Sequence, residues 1–185
     1  MNLDFSNDQK LLQDEASKFL IKEEALKANR AVMETKSNYD PELWQKIVQL
    51  GWTGIRIPEE FGGLGLGHLE LCVIAEELGR QLAPVPFSSS VYLFTEALLE
   101  FASEEQKTQI LPQLVSGEVV GTFAMAETAA APTEQNLVVN YADGKLSGKK
   151  IAVPDAEVAS HAIVVAKENN HCLLYTSDAA DDKQC

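Results

Sequence analysis

The apolar residues change period once, near Gly117, and that change constrains the fold more than any single motif. Upstream, apolar residues recur at helical spacing; downstream, they fall in short β-type runs separated by turn residues. Residues 119–125 read as a buried strand, residues 137–141 as a second and residues 145–153 as a return strand across an Asp143-Gly144 hairpin turn. Residues 162–166 read as a further buried strand. Helices followed by strands imply an α+β protein. The expected organisation is an N-terminal all-helical domain over residues 1–117 and an incomplete antiparallel β domain over residues 118–171.

The helical block carries its own punctuation. Ser6 and Gln9 form a capping box ahead of a stripe of Leu12, Ala16, Phe19, Glu23 and Leu26, read as one helix. Asp40-Pro41 starts a second helix, with Trp44, Ile47 and Val48 inward and Gly51 as its stop. A third runs from about His68 to Leu82, with Leu71, Ile74, Ala75 and Leu78 inward and Glu70, Glu76 and Glu77 toward water. Ser88 to Ser90 offer caps for a fourth through Val91, Phe94, Leu98 and Phe101. Ser103 and Gln106 cap a short helix that Pro112 is expected to cut or kink.

Between the second and third helices lies a run with four glycines in six residues, Gly62-Gly63-Leu64-Gly65-Leu66-Gly67, preceded by Pro58-Glu59-Glu60. Glycine reaches backbone angles closed to other residues, so the run fixes one unusual path. A structural turn is the principal reading and direct phosphate contact the alternative. The P-loop and dinucleotide fingerprints both fail, because no Lys-Ser or Lys-Thr follows and Gly-x-Gly-x-x-Gly is absent.

A formal charge of −13 disfavours nucleic acid and anionic membrane surfaces as partners. No apolar run is long enough to span a bilayer, and the N-terminus lacks the basic and apolar regions of a signal peptide. Cys72, Cys172 and Cys185 fit neither a zinc site nor a disulfide framework, so a cytoplasmic location is expected. Cys72 reads as a packed small hydrophobe. His68, His161 and His171 form no metal-binding pairing, and the adjacent pairs Glu59-Glu60, Glu76-Glu77 and Glu104-Glu105 read as solvated helix surface. No catalytic triad or metal cluster is expected. The run from Cys172 to Asp182 reads like a translated sequencing adapter, so residues 172–185 are expected to be a non-native, adapter-derived tail and carry no weight in the fold reading.

Three segments in order carry a resemblance: the Gly-rich run; Glu105-Gln106-Lys107 with Leu111-Pro112-Gln113-Leu114 and Ser116-Gly117-Glu118; and Phe123-Ala124-Met125-Ala126-Glu127 with the 145–153 strand. Together they resemble the acyl-CoA dehydrogenase family over roughly residues 3–167. The resemblance implies a helical domain, a middle β domain and a C-terminal helical bundle. It implies FAD as cofactor, an acyl-CoA thioester as substrate and its oxidation to the 2,3-enoyl thioester. Homo- or hetero-oligomers of family subunits and an electron-transfer flavoprotein are the partners it implies. The base that takes the α-proton usually lies on the C-terminal bundle, so this chain is expected to be an incomplete fragment that contains no catalytic residue and has no activity of its own.

Carried over by position, Phe123, Met125, Ala126 and Val153 are the expected cofactor-binding residues. Met125 and Ala126 would offer backbone groups to the pyrimidine edge of the flavin, and Glu127 is expected to be structural. Ala126 stands where the family commonly has Thr or Ser, Ala152 where it often has Trp, and Pro154 where it often has Thr. Thr128-Ala129-Ala130-Ala131-Pro132-Thr133 replaces the Gly- and Ser-bearing loop that touches coenzyme A. An FAD-dependent dehydrogenase is the leading reading. A non-catalytic partner subunit of a heteromeric dehydrogenase, and a related acyl-CoA or nitroalkane oxidase, are the alternatives.

Overall fold

A computed structural model describes residues 4–35, 37–130, 132–133, 135–168 and 171–178. Among the described residues six α-helices precede the sheet: α1 (Asn7–Lys22), α2 (Ala25–Thr35), α3 (Pro41–Gln49), α4 (His68–Arg80), α5 (Glu96–Phe101) and α6 (Glu104–Ser116). A π-helix, Ser88–Thr95, leads directly into α5. The strands among the described residues are β1 (Gly121–Ala124), β2 (Asn140–Ala142), β3 (Lys145–Ser147), β4 (His161–Glu168) and β5 (His171–Asp178).

Local chemistry sets the helix starts. Ser6 and Gln9 satisfy each other's backbone N–H groups at α1, and Ser103 and Gln106 do so at α6. Asp40 accepts from the N–H groups of Glu42 and Leu43 at α3. Gly51 and Gly117 both adopt left-handed backbone at φ 75° where α3 and α6 end.

The helical block departs from the sequence reading where packing overrides pattern. The single first helix divides at Glu24, φ 52°, which places Leu26 on α2. Pro112 lies inside a continuous α6; Ile110, Leu111 and Leu114 are buried and hold the helix together although Pro112 offers no N–H. Phe101, expected inward, is 67% exposed. Cys72 is exposed, because it lies outside the Leu71, Val73 and Ile74 face of α4. Glu77, expected toward water, is only 2% exposed and accepts from Gln13 and Arg80 where α4 packs on α1.

The α+β organisation holds, but the sheet is mixed rather than purely antiparallel. β1 and β4 pair in parallel from Gly121↔His161 to Ala124↔Val164. β2 meets β4 in parallel at Asn140↔Lys167, and β2 pairs with β3 antiparallel across the Asp143-Gly144 turn. The chain between β1 and β4 runs back before β4 begins, which lets the two strands align in one direction. The return strand stops at Ser147 instead of reaching Val153, because Gly148 turns the chain at φ 144°. Antiparallel β5 pairs with β4 along its full length, from His161↔Asp178 to Glu168↔His171. The β-branched, aromatic and aliphatic run of residues 171–178 suits an edge partner. Residues 179–185 lie outside the described residues.

One core cluster centres on Leu20, Trp44, Ile47, Trp52, Ile74 and Val91 within the helices. A second joins Phe94, Leu98, Leu111 and Leu114 to Val119 and Ile163. Apolar packing therefore crosses the helix-to-strand junction near Gly117. Gly121 makes that crossing possible: a Cβ there would stand 2.1 Å from the Phe94 ring.

Candidate flavin-facing site

Two segments that the sequence placed in the site lie side by side. Residues 122–127 continue β1 past its last ladder pair, and residues 150–154 follow the turn after β3. The Ile151 N–H donates to the Ala126 carbonyl at 2.8 Å. The Thr122 hydroxyl donates to the Pro154 carbonyl, and the Lys150 ammonium donates to the Met125 carbonyl at 3.0 Å. These contacts hold the stretch around Met125 and Ala126 against the stretch around Val153.

The π-helix braces both segments from the helical side. The Gly121 N–H donates to the Ser90 hydroxyl at 3.2 Å, and the Ser89 hydroxyl donates to Asp155 at 2.6 Å. Ser89 and Ser90 are buried, and Asp155 holds left-handed backbone at φ 52°. A π-helical turn shifts side-chain register relative to an α-helix. Here it directs two neighbouring serines at two different segments.

Phe123 is half-buried against the second core cluster, Met125 is 44% exposed, and Ala126 and Val153 are half-buried. Among the described residues no protein group accepts from the N–H groups of Met125 or Ala126. Two main-chain donors without a partner among the described residues, on a braced strand end, are what a ring with carbonyl and imine acceptors needs, so this part of the site fits a flavin. The position of Pro154 does not supply a donor: proline has no N–H, and its carbonyl already accepts from Thr122. Ala152 is exposed at φ 51°.

Glu127 has the structural role expected of it. Its carboxylate accepts from Lys150 at 2.7 Å and from the N–H groups of Val138 and Val139, and so ties the chain before β2 to the strand end. The Lys150 and Glu127 side chains are 7% and 8% exposed. Burial pushes the Glu127 carboxyl up, but the ammonium and the two backbone donors outweigh it and hold the group below the ordinary glutamate range. Sequence reasoning missed Lys150, Ser89, Ser90 and Asp155. The one available signal was a lysine, Lys150, in a stretch otherwise read as buried strand.

The Gly-rich run resolves to the structural reading. The N–H groups of Phe61, Gly62 and Gly63 donate to the carbonyls of Pro58 and Glu59, and those of Leu64, Gly65 and Leu66 to Gly54, Ile57 and Ile55. The Gly67 N–H donates to Glu70. Every donor in the run is therefore taken, and none remains for a phosphate. Gly63 is required by space, since a Cβ would lie 2.0 Å from the Ile57 carbonyl oxygen.

Among the described residues no group of His, Cys, Asp or Glu could hold a metal, and no helix is long and apolar enough to cross a membrane. A surface groove of about 410 Å³ is lined by Leu78, Leu82, Val85, Phe87 and Tyr92, among others. None of its lining residues belongs to the two site segments.

Residues 6–118 match the family described as acyl-CoA dehydrogenase, N-terminal domain. The mitochondrial isovaleryl-CoA dehydrogenase of Solanum tuberosum is 31% identical over 172 residues, covering 88% of this chain and 41% of that protein. The ChsE4-ChsE5 complex from Mycobacterium tuberculosis contains a chain that superposes with a TM-score of 0.85 at 26% identity, covering 98% of this chain and 50% of that one. An acyl-CoA dehydrogenase complexed with FAD from Bacillus anthracis superposes at 0.81 with 25% identity, covering 95% of this chain and 32% of that one. The chain thus spans about two-fifths of the length of the curated relative and half or less of the solved chains.

Proposed function

The chain belongs to the acyl-CoA dehydrogenase family, and on that premise we propose that it supplies the helical domain and the flavin-facing part of the middle domain of an FAD-dependent acyl-CoA dehydrogenase. The observation that carries this reading is the pair of N–H groups at Met125 and Ala126 that have no partner among the described residues, held beside residues 150–154. FAD, when bound, supplies the acceptor for the β-hydride of an acyl-CoA thioester. The chain's own residues bind and orient. Met125 and Ala126 offer donors where negative charge collects on reduction. Phe123 backs them with packed apolar surface, and Val153 forms the neighbouring wall. The base for the α-proton is not assigned to any residue of this chain, and an electron-transfer flavoprotein is the electron acceptor that the family reading implies.

One observation favours a second reading. Pro154 offers neither hydroxyl nor N–H, and its carbonyl is already occupied. A non-catalytic subunit of a heteromeric dehydrogenase would tolerate that loss. The M. tuberculosis neighbour comes from a two-component complex.

Titration of the purified chain with FAD, followed by flavin fluorescence, tests the first reading. Two neutral hydrogen bonds lost at about 1 kcal/mol each, at positions 126 and 154, weaken binding by roughly thirtyfold, so the expected result is weak but saturable binding. Ala126→Thr and Pro154→Thr are each expected to tighten it about fivefold, the equivalent of about 1 kcal/mol. Absence of saturable binding in the parent and in both variants would overturn the flavin-binding reading and leave the partner-subunit reading.

A further inference from the structure

We propose that Lys150 compensates for the missing hydroxyl at position 126 by polarising the Met125–Ala126 peptide. This rests on the flavin-binding reading above. The ammonium donates to the Met125 carbonyl at 3.0 Å, and the other end of that same peptide is the Ala126 N–H. Charge at the oxygen of a peptide strengthens its N–H as a donor, because hydrogen bonds in series polarise one another. Water screens the effect little here, since the Lys150 side chain is only 7% exposed. Ile151 donates to the next carbonyl, that of Ala126, so two consecutive peptides are polarised in turn.

The ammonium is fixed in this position. Glu127 holds it at 2.7 Å, and Glu127 is itself held by the N–H groups of Val138 and Val139. Lys150 acts through the Met125 carbonyl and is a positioning residue. The ligand property it serves is the charge that a flavin gains at its pyrimidine edge on reduction. Its removal is therefore expected to cost the reduced form more than the oxidised form.

The experiment compares the whole chain with Lys150→Met, Lys150→Arg, Glu127→Gln and the double Glu127→Gln/Lys150→Met variant. FAD affinity and the midpoint potential of the bound flavin are measured, with thermal unfolding as the control for folding. Lys150→Met leaves Glu127 buried without a counter-charge, a penalty that threatens folding; the double variant removes both charges and avoids it. Both are expected to bind FAD about fivefold to tenfold more weakly, the difference between a charge-assisted and a neutral donor. A tenfold greater loss for the reduced form would lower the potential by ~30 mV. Lys150→Arg keeps the charge and is expected to restore most of the affinity. Glu127→Gln alone leaves the ammonium unopposed and is expected to raise the potential.

If the parent chain binds FAD but the folded double variant matches it in affinity and potential, the role of Lys150 is refuted while the flavin site stands. Recovery of affinity in the double variant relative to Lys150→Met would equally refute it, since the lysine would then serve only to neutralise Glu127. If the parent and the threonine variants bind no flavin, both readings fall together.

Discussion

Replacing Gly121 by Ala tests whether the sheet is seated on the π-helix as closely as the structure shows. A Cβ at this position would lie 2.1 Å from two atoms of the Phe94 ring. Carbon atoms in good contact stand about 3.5 Å or more apart, so strand and ring must separate by roughly 1.4 Å. Phe94 is fully buried and cannot swing into solvent. Moving β1 instead strains the Gly121 to Ser90 hydrogen bond and the parallel pairing with β4. Overpacking of this kind costs about 1–3 kcal/mol, and a weakened hydrogen bond adds about 1 kcal/mol. A loss of about 2–4 kcal/mol is therefore expected in urea unfolding at 25 °C. Phe94→Leu removes part of the opposing ring, so Gly121→Ala should cost at least 1 kcal/mol less in that background than alone. Gly121→Ala within about 0.5 kcal/mol of the parent, the range of neutral surface changes, or strict additivity in the double variant, would refute the reasoning.

Gly63→Ala places a Cβ 2.0 Å from the Ile57 carbonyl oxygen; the clash is with backbone and cannot be relieved by a rotamer, so a loss above about 2 kcal/mol is expected in the same assay. Ser103→Ala removes the N-cap of α6 and should cost about 1 kcal/mol in thermal or urea unfolding, with Ser103→Gly costing less. The Glu127 carboxyl titrates below its unfolded value, so its contribution is fully present above the ordinary glutamate pKa and is lost as pH falls through the lower folded value. Melting temperatures between pH 6 and pH 3 should therefore converge for the parent and Glu127→Gln toward the acid end, and a constant gap across that range would contradict the assignment.

What the sequence made legible was local. The caps at Ser6, Asp40 and Ser103 stand where they were read, because a cap is a contract between residues two or three apart. The change of period near Gly117 marks the start of the strands for the same reason. The hydrogen-bonding role of the Gly-rich run needed the structure, since its acceptors include Gly54, Ile55 and Ile57. The burial of Glu77 was hidden because its partner Gln13 comes from another helix, 64 residues away. The break at Glu24 carries no glycine or proline to announce it. In the candidate site, the placement of residues 150–154 beside Met125 and Ala126 agrees with the order of the motifs. The Lys150 to Met125 contact spans 25 residues and an irregular turn, and no periodicity encodes it.

On the flavin-facing reading proposed above, a braced backbone takes over from side chains. Two hydroxyl side chains and one indole expected by resemblance are absent at positions 126, 154 and 152, yet the main chain they would project from is tied at several points. Thr122 holds Pro154, Ile151 holds Ala126, Lys150 holds Met125, and Glu127 holds Val138 and Val139. Ser89 and Ser90 fix the far ends of both segments to the π-helix. A donor that does not have to be ordered when the ligand arrives retains more of its interaction energy than a free hydroxyl rotor. Substituting main-chain donors therefore makes binding depend on the packing beneath the strand more than on the residue at its surface. On that reading the sensitive positions are Gly121, Ser90 and Lys150, whose hydrogen bonds and packing hold the two segments in place.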